Sequence, residues 1–241
     1  FFSMPVLAFT SSTFLISQSA FKNHDYKAAI FNFRNSENKL TSDKLLDKVI
    51  SAVITEDIGL AEKIASKILS EDAENQEAYI VKLVYLYSQE KYKEIKKIHG
   101  DFKDKNELID FIFFDNIELK ESSSISKALV DIVVSSFSGA DQRSLNYNFL
   151  LFYTSLAKII DNKNDRATLI KGELFQNVEQ AEVAEKTFLM IQSDSPYYLE
   201  AQRSLAINYS NFYPYDEALK KIIALLQNNN NNYVLKKILA D

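Results

Sequence analysis

Two histidines are the first residues to consider for chemistry, because imidazole is a common metal ligand and general base. They are His24 and His99, and each lies in or beside a stretch that reads as a turn. A histidine metal site needs further ligands at helical or turn spacing. Neither histidine belongs to a His-x-x-x-His or Glu-x-x-His pattern. We therefore predict no metal site and expect both side chains to be exposed.

Paired acids are the second candidate for chemistry. Glu118 and Glu121 form one pair, and Glu179 and Glu182 form another. Two carboxylates can cleave a glycosidic bond when an apolar setting keeps one of them protonated. Acids three residues apart are more often part of one solvated helix face. We interpret both pairs in that way.

Other catalytic patterns are missing from the sequence. Ser135, Ser136 and Ser138 lie near Gly139, but without the residues of a nucleophile elbow. Four glycines form no phosphate-binding loop, and the chain has no cysteine to serve as a nucleophile, disulfide partner or thiolate ligand. The sequence thus predicts a protein that is not an enzyme and has no cofactor.

Composition favours a helical protein that does not bind nucleic acid. The 241 residues are 46% hydrophobic, which is enough for a sizeable core. Only 4 Gly and 3 Pro favour long helices with short connections over a β protein. The net charge of −5 leaves no basic face for a polyanion.

Residues 1–12 resemble part of a secretory signal. The apolar run from Phe1 to Phe9 is followed by Thr10, Ser11 and Ser12, as in an apolar core with a small-residue exit. This pattern predicts a periplasmic or secreted protein. The alternative is an apolar lead-in that packs on the first helix of a cytoplasmic protein. The run is too short for a membrane span, which needs about 20 residues.

A repeated sequence pattern predicts the helices that must position these residues. Small or apolar anchors at Ala29, Ala61 and Ile95 lie 32 and 34 residues apart, and Ala184 and Ala218 are again 34 apart. A period in this range is typical of stacked helical hairpins. The sequence therefore predicts an all-α chain of antiparallel helix pairs.

The repeat divides the chain into regions. Residues 13–100 read as three regular hairpins, and 165–241 as two hairpins followed by the start of a further helix at Val234–Leu239. Between them, 101–164 is an irregular helical middle, with helices expected at Glu107–Leu119, Ile125–Phe137 and Asn146–Ile160. Ile95 and Ala184 are 89 residues apart, which is not a whole number of periods.

The anchors resemble the tetratricopeptide-repeat (TPR) family. In the best-matching hairpin, Gly172 takes the small position of the first helix, Phe175 its aromatic position, Ala184 the crossing point, Phe188 the second aromatic position and Pro196 the exit. The chain has no Trp, and Ile95 stands where the family has Ala. More narrowly, the stretch 194–201 is similar to repeat proteins of alphaproteobacterial envelopes.

This resemblance implies a right-handed superhelix whose first helices line a concave groove. It implies a non-catalytic scaffold or adaptor that holds a protein or peptide partner. Counting from the anchors, the groove-facing candidates are Phe14, Gln18, Phe21, Leu46, Ile50, Val53, Ile80, Val84 and Tyr87. Two alternatives stay open: a platform for a peptidoglycan-cleaving enzyme whose catalytic domain lies outside this chain, and a self-associating repeat protein.

Overall fold

A computed structural model describes residues 5–34, 42–102, 107–115, 118–137 and 145–228. The chain divides into two compact units, Phe1–Asn162 and Lys163–Asp241. The helix predicted at Val234–Leu239 lies outside the described residues. Each unit is built from helices packed in adjacent antiparallel pairs, and this confirms the predicted all-α fold class.

The first unit contains three hairpins and a further helical region. The hairpins are α1 (Pro5–Lys22) with α2 (Tyr26–Arg34), α3 (Ser42–Ile54) with α4 (Ile58–Glu71), and α5 (Gln76–Ser88) with α6 (Tyr92–Phe102). Next come α7 (Glu107–Phe113), a two-stranded hairpin of β1 (Phe114–Asp115) and β2 (Glu118–Leu119), α8 (Ser122–Phe137) and α9 (Tyr147–Ile160).

The second unit contains two hairpins. They are α10 (Asp165–Asn177) with α11 (Ala181–Phe188), and α12 (Tyr198–Phe212) with α13 (Tyr215–Asn228). α12 packs against both α11 and α10, so the two hairpins are stacked side by side. Among the described residues, no helix is long and apolar enough to cross a membrane.

Four hairpins turn through the same unusual backbone conformation. His24, Glu56, Glu90 and Glu179 each have a positive φ, between 57° and 65°, two residues after the end of a first helix. In each, the next residue donates its backbone N–H to a carbonyl five residues earlier, as Lys91 does to Leu86 at 2.9 Å. This is the Schellman ending, in which a left-handed residue lets the chain reverse while the last carbonyls are satisfied.

The predicted anchors occupy one structural position. In the four hairpins that have a left-handed residue, the anchor lies five residues after it. In all five hairpins, the anchor donates its backbone N–H to the carbonyl of the residue that precedes the second helix. Their side chains are buried in hairpins whose two helices pack on each other. The anchors are Ala29, Ala61, Ile95, Ala184 and Ala218. Small size at this point lets the two helices of a hairpin approach closely.

Gly172 shows how close that approach becomes. A Cβ atom built on Gly172 would lie 2.6 Å from Cδ1 and 2.9 Å from Cζ of Phe188, inside the ring's contact radius. Phe188 is fully buried on the facing helix α11. The glycine on α10 is therefore required by the volume of this aromatic side chain rather than by backbone conformation.

One predicted helix is shorter than expected. The helix predicted over Glu107–Leu119 ends at Phe113, and the chain continues into β1 and β2, which pair Phe114 with Leu119. The reason is a tertiary contact, since the Phe114 ring stacks on His99 of α6 with centroids 3.7 Å apart. Burying this ring on α6 outweighs the helix propensity of the segment.

The left-handed turns predict a stabilising substitution. A non-glycine residue in this conformation costs about 1–2 kcal/mol, so Glu90→Gly should raise the free energy of unfolding by about 1 kcal/mol. Denaturant unfolding followed by circular dichroism measures this. Glu90 is exposed, and Glu90→Ala is the matched control, with no expected gain. Equal effects of Gly and Ala would contradict the strain argument.

The contact at Gly172 predicts a destabilising substitution. Gly172→Ala should lower the free energy of unfolding by about 1–3 kcal/mol, because a methyl group overpacks the site. Gly100 in α6 has open space around its Cβ position, so Gly100→Ala should stabilise by up to about 1 kcal/mol through helix propensity. Thermal unfolding of both variants checks the opposite signs.

Candidate functional site

The central feature of the first unit is α9, which lies against α3 and α5 as well as α8. α3 and α5 are first helices of their hairpins, the helices whose face was predicted to form a groove. Every residue from Leu150 to Ala157 is buried. A helix that is apolar on all sides belongs in the interior of a fold. The face of α3 and α5 is therefore covered by a helix of the same chain.

Local sequence explains where α9 begins and ends. Asn146 caps the helix by accepting from the Phe149 N–H at 3.2 Å, the usual role of Asn at a helix start. At the other end, the Asp161 N–H bonds to the Ala157 carbonyl at 3.0 Å. The intervening side chains include Phe152 and Tyr153, whose rings meet edge to face with centroids 5.3 Å apart.

A polar contact, which we term the α9 latch, joins the start of α9 to the first hairpin. It consists of His24, Tyr26 and Asn148. The Tyr26 hydroxyl donates to Asn148 Oδ1 at 2.7 Å. His24 Nδ1 lies 3.0 Å from Asn148 Oδ1 and 3.0 Å from the Tyr26 hydroxyl oxygen. The geometry fits an imidazole that carries its proton on Nδ1.

Burial keeps the residues of the latch uncharged. It raises the pKa of Tyr26 far above its ordinary value. It also lowers the pKa of His24, although the hydrogen bond to Asn148 acts in the opposite direction. A neutral imidazole and a neutral phenol both remain able to hydrogen-bond to one amide oxygen. The latch is thus a structural contact at neutral pH.

The nine predicted groove residues fall into two groups. Phe21, Val53, Ile80 and Val84 are buried, and the last three have no exposed surface at all. Phe14, Gln18, Leu46, Ile50 and Tyr87 are half-buried. For the four buried side chains, contact with a partner requires movement of the elements that cover them. A partner-binding role for the nine residues stays a prediction.

Two of the half-buried groove candidates have internal hydrogen-bond partners. Gln18 of α1 donates to Asp47 at 3.2 Å and accepts from Lys44 at 3.0 Å, and both partners lie on α3. The Tyr87 hydroxyl donates to the Lys120 carbonyl at 3.3 Å. These bonds join neighbouring elements of the fold. The side-chain amide of Gln18 and the hydroxyl of Tyr87 are therefore already hydrogen-bonded within the chain.

The histidines are not the exposed turn residues that we expected. His99 is buried within α6, stacked on Phe114, with Nδ1 3.5 Å from an Asp110 carboxylate oxygen. His24 does lie in a turn but is half-buried in the latch. Tertiary packing accounts for both differences, because each ring is covered by an element distant in sequence. Within the described residues, no cluster of three or more His, Cys, Asp or Glu could hold a metal ion.

The paired acids remain in solvent. Glu118, Glu121, Glu179 and Glu182 are all exposed. The acid of a glycosidase pair lies in an apolar setting, and exposure denies these four carboxyl groups that setting. They are solvated, as the spacing indicated, but the predicted helix faces are wrong. Glu118 lies in β2, Glu121 precedes α8 and Glu179 lies in the turn before α11, because the chain turns within each pair.

A different carboxylate, in the second unit, accepts three side-chain hydrogen bonds. Glu185 on α11 accepts from Tyr209 at 3.1 Å, Tyr213 at 2.6 Å and Lys221 at 2.8 Å. The Lys221 ammonium also lies 4.9 Å and 4.8 Å from the centroids of the two tyrosine rings. We call these four residues the Glu185 cluster. It connects α11, α12 and α13.

The Glu185 cluster has the geometry of a structural contact. Burial by itself would raise the pKa of Glu185, but the hydrogen bonds from Lys221, Tyr213 and Tyr209 outweigh it and hold the pKa below its usual value. A carboxylate that stays ionised and fully bonded is unsuited to proton transfer near neutral pH. It is well suited to fix three helices together.

Sequence reasoning singled out His24 but missed the contacts of the latch and of the Glu185 cluster. Their partners are far apart in the chain, as Tyr26 and Asn148 are, so periodicity carries no signal for them. A signal for α9 itself was present. The stretch from Phe149 to Leu156 combines aromatic and apolar residues on all sides of a helix, and this pattern indicates a central helix rather than a surface one.

Comparisons with known proteins add little beyond the fold. No protein-family model matches the chain, and no curated protein matches its sequence. It is similar to the solved structure of TTC0263, a thermophilic TPR protein of Thermus thermophilus. The two chains are 14% identical over 96% of this chain and 97% of that one, with a TM-score of 0.36. A mutant of MamA is 11% identical over 92% of this chain and 96% of its own, with a TM-score of 0.31. Both TM-scores are too low for either likeness to bear on function.

The Glu185 cluster predicts a pH-dependent contribution to stability. Because the folded pKa of Glu185 is lowered, the contribution is present above its unfolded pKa and is lost as pH falls through the folded pKa. Glu185→Gln should lower the free energy of unfolding by about 2 kcal/mol at pH 7. The loss should be smaller at about pH 3, below the ordinary pKa of a glutamate.

Urea unfolding at the two pH values measures this difference. The matched control is Glu182→Gln, an exposed acid on the same helix, which should change stability by less than about 0.5 kcal/mol. A penalty for Glu185→Gln that is independent of pH would contradict the assigned role of the carboxylate.

Proposed function

We propose that this protein is a non-catalytic interaction scaffold that binds a segment of another protein. The observation that carries the proposal is the placement of α9 across α3 and α5. A face made by successive first helices already receives a helix in this molecule. Helix-in-groove binding is a common mode of peptide recognition, and it relies on the same apolar packing.

The state of the titratable groups supports a binding role over a catalytic one. In the described part of the chain, the histidines are packed in structural contacts and the acid pairs are exposed. The Glu185 carboxylate is bonded by three donors of the same unit. Catalytic acids and bases need a perturbed pKa together with access to a substrate.

Exposed apolar residues on α1 supply a candidate contact surface. Leu15 is 66% exposed and Ile16 is 53% exposed, on the same helix as the half-buried Phe14 and Gln18. Large apolar side chains in a contiguous exposed position are typical anchors of protein interfaces. We include this part of α1 in the proposed binding surface. The apolar run in 1–12 supports a periplasmic or secreted location as part of the same proposal.

The test is capture of partners by the tagged chain from an extract of the source organism. Leu15→Glu combined with Ile16→Glu should lower the recovery of specific partners about tenfold, because buried anchors of an interface are worth about 2 kcal/mol or more each. Quantitative mass spectrometry after chemical crosslinking measures the recovery.

The matched control places the same changes in the second unit. Met190 and Leu199 are 57% and 62% exposed, so Met190→Glu with Leu199→Glu tests for a general effect of added charge. Circular dichroism must show native helix content in all variants. Equal recovery by the α1 variant and the wild type would refute the assignment of the surface, and a chain that captures no protein would refute the scaffold role.

A further inference from the structure

α8 and α9 form a packed helix pair, which we call the α8–α9 pair. The Ser126 hydroxyl of α8 donates to the Ala157 carbonyl of α9 at 2.8 Å, in a fully buried position. The two helices also pack extensively on each other. A buried hydrogen bond is costly to break without a replacement. Any movement of α9 therefore carries α8 with it.

The pair meets the hairpins of the first unit through α9. α9 packs on α3 and α5, whereas α8 packs on α9 and α7. The main helix contacts of the pair with the hairpins are therefore those of α9, together with the latch. The hydrogen bond from Tyr87 to the Lys120 carbonyl joins α5 to the segment just before α8.

α9 carries polar groups whose burial is less favourable than that of its apolar side chains. Ser155 Oγ is buried and has no hydrogen-bond partner among the described residues. An unsatisfied buried hydroxyl opposes docking, because it is solvated again when the helix leaves. Asn148 is held by hydrogen bonds to Tyr26 and His24 rather than by apolar packing. An amide, a phenol and an imidazole can exchange these bonds for water at modest cost.

We propose that α9 is an intramolecular occupant of a helix-binding face on α3 and α5, and that a partner helix of similar chemistry replaces it when the α8–α9 pair opens. This inference rests on the proposed scaffold function and names the partner class for one of its faces. In the closed state α9 blocks the face. The closed state is the one that the structure shows.

The contacts of α9 define the chemistry of the partner. The partner presents an apolar helix, because α9 is buried on all sides from Leu150 to Ala157. Near its amino end it presents an amide oxygen that accepts from the Tyr26 hydroxyl, as Asn148 does. Five residues later it places an aromatic residue, as α9 does with the buried Tyr153.

Hydrogen exchange of the full chain tests whether the pair opens by itself. The amides of α8 and α9 should exchange at least about tenfold faster than those of α3 and α4 through sub-global opening. Asn148→Ala should accelerate α8 and α9 about tenfold further, since it removes hydrogen bonds, and leave α3 and α4 unchanged. Asn162→Ala, at an exposed position just after α9, is the matched control and should change neither. Exchange of α8 and α9 at the same rate as α3 and α4 in every variant would overturn the proposal.

Binding of a probe peptide tests the face directly. The probe is a fluorescein-labelled peptide with the sequence of residues 145–161, titrated with the full chain and followed by anisotropy. Asn148→Ala in the chain should lower the Kd at least about tenfold, because the internal competitor is weakened while the face is intact. Tyr26→Phe should give a smaller gain, because Tyr26 belongs to the face and the peptide loses its donor too. Equal affinity of wild type and Asn148→Ala would overturn the proposal.

The outcomes separate this inference from the scaffold proposal. Independent opening and peptide binding by a chain that captures no cellular protein would refute the scaffold role alone. Partner capture through α1 by a chain whose α8–α9 pair never opens separately would refute this inference alone. Light scattering of the Asn148→Ala variant over a concentration series tests whether the occupant is a second copy of the chain. Concentration-dependent dimers would make a second copy of the chain the occupant, and would overturn the assignment to a different protein.

Discussion

The burial of α9 against α3, α5 and α8 is the interaction on which the first unit depends. α9 contributes fully buried side chains such as Leu151, Phe152 and Leu156, each worth about 1.5–3 kcal/mol when removed from water. The hairpins alone leave the apolar residues of α3 and α5 without this cover. The helix that completes the core of the first unit is therefore also the helix that covers α3 and α5.

A second constraint acts within each hairpin. A buried anchor, Ala in four hairpins and Ile95 in the third, lies where the two helices meet, and in four hairpins a left-handed residue precedes it by five positions. The last hairpin keeps the anchor position but has a different turn. There Tyr213 is extended, and the Pro214 carbonyl accepts from the Ala218 N–H at 2.9 Å. The anchor keeps its position although the turn changes, which shows that helix packing is the stronger requirement.

Polar residues in this protein mainly fasten helices to one another. The latch joins α9 to the first hairpin, and the Glu185 cluster joins three helices of the second unit. Buried polar contacts of this kind specify one arrangement, because a misplaced helix leaves donors or acceptors unsatisfied. They also add less net stability than apolar packing.

The sequence by itself determined the hairpins, since a repeat period and a small anchor are both local signals. It also indicated that acids such as Glu179 and Glu182 stay in solvent. Only the tertiary structure decided that α9 covers α3 and α5, that His99 is buried and that α7 ends at Phe113. The physical reason is that these features depend on contacts between segments far apart in the chain. Periodicity records which face of a helix is apolar, but it carries no information about which distant helix will cover that face.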